Sequence, residues 1–137
     1  MSSRLTVLAI DPGRFKCGIA VVADGSQPEV LHRAVIPTDQ LSHVLTDLAD
    51  RYRPEVILVG NGTTASGAAG EAKATGLPVE IVDERFTSIE ARRRYFAEHP
   101  PRGLRRLIPT SLQTPGRPID DYVAAILAER YLQKPSR

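Results

Sequence analysis

Six acidic or amide side chains stand where apolar runs end or begin, and that placement is the first chemical signal in the sequence. Asp11 closes the run over residues 5–10, Asn61 follows the run over 56–59, and Asp83 and Glu84 follow the run over 79–82. Asp120 and Asp121 open the last apolar-rich stretch. In open α/β sheets, ligands gather at the carboxyl ends of parallel strands. If the strands ending at Asp11, Asn61 and Asp83 are parallel neighbours, these acids converge on one edge. Clustered carboxylates raise one another's pKa unless a cation neutralises them. Hard oxygen ligands without a nearby His or Cys set favour Mg²⁺ or Mn²⁺ over zinc. Two such ions about 4 Å apart can activate a water and stabilise the leaving oxygen of a phosphodiester.

Each acid also has a plainer role open to it. Asp11 before Pro12-Gly13 fits a turn. Glu84 could pair with a surface arginine, and Asp120 and Asp121 suit the first turn of a helix. Glu90 is best read as the partner of Thr87 in a Thr-Ser-Ile-Glu capping box, which leaves it out of the site. At about 100° per residue, Asp120 and Asp121 flank the inward side of their helix about equally, with Glu129, Arg130 and Gln133 outward. Helix geometry therefore leaves both open as ligands.

The elements that must position these groups follow from the hydrophobic pattern. Residues 5–10, 17–23 and 30–36 read as strands joined by short turns, the second turn at Asp24-Gly25-Ser26. Pro37-Thr38-Asp39 starts a helix whose apolar face is Leu41, Val44, Leu45, Leu48, Ala49 and Tyr52, and which stops before Pro54. Then come a strand at 56–59, a helix at 65–75, a strand at 79–82 and a helix at 87–97. Residues 99–118 hold five prolines and two glycines and read as a mobile loop. An amphipathic helix is expected at 119–133. Three antiparallel strands followed by α/β crossovers predict a mixed five-stranded sheet with helices on both faces.

A length of 137 residues predicts one domain over residues 1–137 with a single core. Composition, 42% hydrophobic and 25% charged, is that of a globular protein rather than a disordered one. No apolar run approaches a membrane span, the N-terminus lacks the pattern of a signal peptide, and the one cysteine, Cys17, has no internal partner. The expectation is a cytoplasmic protein. The net charge of +2 hides an asymmetry: residues 85–117 hold eight arginines against Glu90 and Glu98. A basic stripe on an otherwise acidic body suits a polyanion such as nucleic acid, and equally a solvated helix and loop.

Three stretches carry a resemblance. LAIDPGRFKCGIAVV resembles the first two strands of the YqgF (RuvX) family of pre-16S rRNA processing nucleases and Holliday junction resolvase-like proteins. VDERFTSIEARRRYF resembles its Asp-Glu-Arg motif with the following helix, and IDDYVAAILAERYL its C-terminal acidic helix. The resemblance implies an RNase H-like α/β fold and a metal-dependent nuclease. It places the catalytic carboxylates on Asp11, Glu84 and Asp120, holding two Mg²⁺ or Mn²⁺ ions. Asp121 stands where many relatives have Ser, so it ranks below Asp120 as a further ligand. The substrate implied is RNA and/or single-stranded or branched DNA, in pre-16S rRNA 5'-end processing or in DNA repair and recombination. A ribosome precursor is a natural partner, and the chain would act as a monomer or a homodimer.

Candidate nucleic-acid contacts are Arg14 and Lys16 just after Asp11, Arg85, and Arg92 and Arg93 of the three-arginine run, since a helix cannot turn all three one way. Arg102, Arg105 and Arg106 on the proline-rich loop are placed to clamp a strand. Two departures from the family pattern stand out. Gly60-Asn61-Gly62-Thr63 replaces a Gly-Leu-Pro and looks more like the related domain of Tex transcription accessory proteins, and Asn61 or Thr63 there could donate to a sugar-phosphate. The loop over 100–118 is also longer and richer in proline than is typical. The main rival is thus a Tex-like binding module without strong catalysis. An actin-like phosphotransferase would need a second domain, which this length does not supply.

Overall fold

Buried on both faces, β1 (Thr6–Asp11) is the centre of the molecule: Val7, Leu8, Ala9 and Ile10 are all shielded from solvent. A computed structural model describes residues 4–62, 64–110, 113 and 115–133. β1 pairs antiparallel with β2 (Lys16–Ala23), which pairs antiparallel with β3 (Glu29–Pro37). On its other side β1 runs parallel to β4 (Val56–Gly60), and β4 parallel to β5 (Val79–Val82). The order is β3-β2-β1-β4-β5, the mixed sheet that the element order predicts.

Alternate residues of the central strands feed two cores. Leu8, Ile10, Ile19, Val21, Ile57 and Val59 face α1 (Leu41–Tyr52) and α2 (Ala65–Lys73). Val7, Ala9, Ala20, Val22 and Leu58 face α4 (Asp120–Gln133), beside which lies α3 (Thr87–Glu98). α1 presents Leu41, Leu45 and Leu48 to the sheet, as its three- and four-residue spacing predicts.

The structure corrects three local expectations. α4 is not amphipathic over most of its length, because every residue from Asp121 to Ala128 is buried. Sheet, α3 and the Arg33 side chain surround it, and even Glu129 and Arg130, expected outward, pair with Arg94 and Glu90 of α3. The capping box does not form. Phe86 precedes α3 at φ 67, Thr87 Oγ1 donates to the Glu84 carbonyl, and Glu90 is taken by Arg130 at 3.1 Å. The loop carbonyl of Glu84 and Arg130 of α4 thus outcompete the local cap. Finally, the proline-rich loop contains a 3₁₀ turn, Gly103–Leu107. Buried Gln113 fastens it, Nε2 donating to the carbonyls of Arg105 at 2.7 Å and Ile108 at 2.8 Å.

Candidate active site

The parallel run of β1, β4 and β5 brings Asp11, Asn61 and Glu84 to one sheet edge. Asp11 ends β1 opposite Gly18 of β2. Gly18 is the seat of α4, since a Cβ there would overlap the Asp120 carbonyl and crowd the Asp121 amide. The first residue of α4 is thereby set down beside Asp11, near enough that the Asp120 charge raises the Asp11 carboxyl. On the other flank, the bare Cα of Gly60 leaves room for the Glu84 carboxyl group, which a Cβ would displace. Asn61 Oδ1 accepts the Glu84 backbone N–H at 3.2 Å and ties the loop after β5 to the end of β4.

The electrostatics are those of a crowded acidic site. Burial, and then the charges of Glu84 and Asp120, push the Asp11 carboxyl up to about 8. Burial also lifts Asp120, against the pull of the Lys16 ammonium, and it lifts Glu84 together with the neighbouring charge of Asp83. Glu84 Oε2 is buried with no hydrogen-bond partner. Asp11 and Asp120 line a groove of about 520 Å³ whose other walls include Ser88, Arg92 and Arg117.

Asp121 is turned elsewhere. Only 3% exposed, it receives Arg33 Nε at 3.2 Å and Arg117 Nη2 at 3.1 Å on Oδ2, and Arg117 Nη1 at 3.3 Å on Oδ1. Consecutive helical side chains diverge by about 100°, so one of the two neighbouring acids meets the sheet edge and the other meets the arginines. Asp121, expected as a further ligand ranking below Asp120, is held here by these two arginines.

The cations divide similarly. Arg14 and Lys16 are exposed on the turn after Asp11, Arg14 with its guanidinium carbon 5.4 Å from the Phe15 ring centroid. Arg92 lines the groove, while Arg93 lies on the outer face of α3 with Phe86 and Ile89. Arg94 is folded onto Glu129 at 2.6 and 3.0 Å. Arg85 leans on Asp83 at 3.6 Å, and Arg102, Arg105 and Arg106 project from the 3₁₀ turn. Asn61 supports Glu84 through its carbonyl oxygen, and the expected donation to a sugar-phosphate would come from its other amide atom, Nδ2. Thr63 lies outside the described residues.

Among known proteins, a Bacteroides fragilis protein provisionally named a pre-16S rRNA nuclease is 31% identical over 100 residues, 64% of this chain and 72% of that one. A Picosynechococcus protein of the same name is 30% identical over 112 residues, 69% of this chain and 75% of that one. The chain belongs to this family, YqgF/RuvX. No protein-family model matches it. Among solved structures, RuvC of Thermus thermophilus superposes with a TM-score of 0.60 at 21% identity, covering 90% of each chain. The same protein in complex with a Holliday junction gives 0.56. The YqgF/RuvX chain therefore has an RNase H-like fold.

The donor set of this family member suits a hard divalent cation. It offers carboxylate oxygens only, one of them buried without a partner, and a carboxyl pair whose mutual repulsion a cation would relieve. Among the described residues, no three Asp, Glu, His or Cys side chains are already drawn together around one point. Loading an ion would thus require the raised Asp11 carboxyl to give up its proton and the side chains to close in. Sequence reasoning missed Gly18 as a seat and Arg33 as the partner of Asp121. Both left a signal: a lone glycine inside an apolar strand marks a close backbone approach, and Arg33 is a charge within a strand-like run.

Proposed function

We propose that this chain, as a single domain over residues 1–137, is a divalent-metal-dependent nuclease that hydrolyses phosphodiesters. The observation that carries the reading is that Asp11 and Asp120 line one groove within reach of the charge of Glu84, whose Oε2 is buried without a partner. Asp11, Glu84 and Asp120 are the residues that would hold two Mg²⁺ or Mn²⁺ ions. When bound, such ions supply Lewis-acid activation of water and charge neutralisation at the departing oxygen. The chain's own residues do the rest. Gly60, Gly18 and Asn61 fix the carboxylates, Arg92 in the groove wall meets a substrate phosphate, and Arg14 and Lys16 hold the phosphate on the Asp11 side. Arg85 and Arg93 extend this basic track over α3.

The names of its relatives make precursor 16S rRNA the first substrate to try, with its 5' end, single-stranded DNA and branched DNA as the forms the family resemblance implies. A cytoplasmic location agrees with that role, and no described helix is long and apolar enough to cross a membrane. Labelled RNA and DNA strands incubated with purified protein and Mn²⁺ provide the test. Wild type should cleave, and Asp11→Asn should lose at least about a hundredfold in rate while binding persists. Binding by wild type without any metal-dependent cleavage would make the domain a binding module and end the nuclease reading.

A further inference from the structure

The acidic groove leaves the two most exposed large apolar side chains among the described residues unexplained. Leu104 and Leu107 are 82% and 77% exposed, and both belong to the 3₁₀ turn Gly103–Leu107. With three residues per turn, positions i and i+3 lie on the same side, so the two leucines form one ridge. Arg102, Arg105 and Arg106 surround them, and the sequence holds no acid between Glu98 and Asp120. The turn is built rather than loose. Gly103 supplies the φ of +61 it needs, and buried Gln113 fastens the carbonyls of Arg105 and Ile108. It also stands near the groove. Thr110, three residues beyond the turn, shares a 290 Å³ pocket with Ile89, Arg92 and Arg93 of α3, and Arg92 lines the groove with Pro115 and Arg117 from the same loop.

Unopposed positive charge selects a polyanion. Phosphates alone would have no use for a leucine ridge, whereas apolar side chains enter between base steps of a nucleic acid and unstack them. We propose that the Gly103–Leu107 turn is an apolar wedge: Leu104 and Leu107 enter between bases of a bound strand while Arg102, Arg105 and Arg106 hold the flanking phosphates. The wedge rests on the nuclease reading for its purpose, and it narrows the substrate to nucleic acid with unpaired or easily unstacked nucleotides near the cut.

The test uses the full chain in EDTA with single-stranded, duplex and branched oligonucleotides of RNA and DNA, each carrying one 2-aminopurine. Anisotropy reports binding and 2-aminopurine emission reports unstacking. With wild type, emission should rise about two- to fivefold at saturation. Leu104→Ser with Leu107→Ser alters only exposed side chains, so the fold should persist. This variant should bind within about threefold of wild type and lose the rise. Arg105→Ala with Arg106→Ala should bind about tenfold more weakly with a flatter salt dependence, and recover the rise at saturation. An equal rise in the serine variant overturns the wedge. So does leucine-dependent capture by anionic vesicles or by a protein, with oligonucleotide emission unchanged. Cleavage with Mn²⁺ but flat emission sinks the wedge alone; rising emission without cleavage sinks the nuclease reading alone.

Discussion

Glu84 rests its carboxyl group on the bare Cα of Gly60: a Cβ at that position would overlap Glu84 Oε2 and lie 3.3 Å from Leu127 Cδ1. A strand end and an acidic loop are thus matched by the lack of a single methyl group. Gly60→Ala should move the end of a flexible side chain rather than the backbone. Stability should fall by no more than about 1–2 kcal/mol, while cleavage falls at least tenfold through an estimated shift of about 1 Å in the carboxylate. Urea unfolding and cleavage rates on the same preparation check this. A fully active Gly60→Ala protein would remove Glu84 from the site.

Gly18 presents the opposite case. A Cβ there meets the backbone of Asp120 and Asp121, which cannot rotate away. Gly18→Ala should lift α4 off β2 and cost about 3 kcal/mol, visible as a lower denaturation midpoint. A midpoint unchanged from wild type would show that α4 is not seated as described.

Stability should also depend on pH through Asp11. Its carboxyl, pushed up to about 8 by burial and then by Glu84 and Asp120, lies above its unfolded value of 3.8. Between those values the folded chain keeps a proton that the unfolded chain has released. The contribution is therefore fully present below about pH 4 and is lost as pH rises through about 8, at up to about 1.4 kcal/mol per pH unit. Denaturation of metal-free protein should show this decline, and Asp11→Asn should flatten it. A wild-type profile already flat from pH 4 to 8 would contradict the buried carboxyl pair.

Arg33 and Arg117 share the buried carboxylate of Asp121, but unequally. Arg33 is the more buried of the two and lies 4.0 Å from the centre of the Tyr122 ring, whose hydroxyl donates to Glu98 Oε1 at 2.5 Å. Arg33→Ala should cost about 3 kcal/mol, and Arg117→Ala about 1 kcal/mol, because removing a partner strands a buried charge. A double-mutant cycle of Arg33→Ala with Asp121→Ala should return most of the Arg33 cost as coupling. Additive effects would mean that the pair is incidental.

The fold was open to sequence reading because its signals are periodic. The alternation on β1 and β2, the leucine spacing of α1 and the turn residues all act within a few positions of one another. The shared edge of Asp11 and the Asp83-Glu84 pair followed from strand order in the same way, while the choice of Glu84 came from the family resemblance. What stayed hidden depends on contacts between distant segments. Nothing local sends Asp120 toward Asp11 and Asp121 toward Arg33, since both acids occupy equivalent places on an isolated helix. The Thr87 to Glu90 spacing obeys the capping-box pattern, yet Arg130, forty residues away, takes Glu90. The tie from the Glu84 amide to the Asn61 carbonyl oxygen was hidden for the same reason, since it exists only once β4 and β5 lie side by side.

The account turns on whether Asp11, Glu84 and Asp120 jointly hold metal. Titration of the purified chain with Mn²⁺, followed by the loss of the free-ion electron paramagnetic resonance signal, measures this without reference to any substrate. The prediction is saturable binding that weakens at least about tenfold in each of Asp11→Asn, Glu84→Gln and Asp120→Asn, and is unaffected by Glu80→Gln on the exposed face of β5. Equal binding by wild type and all three variants would contradict it.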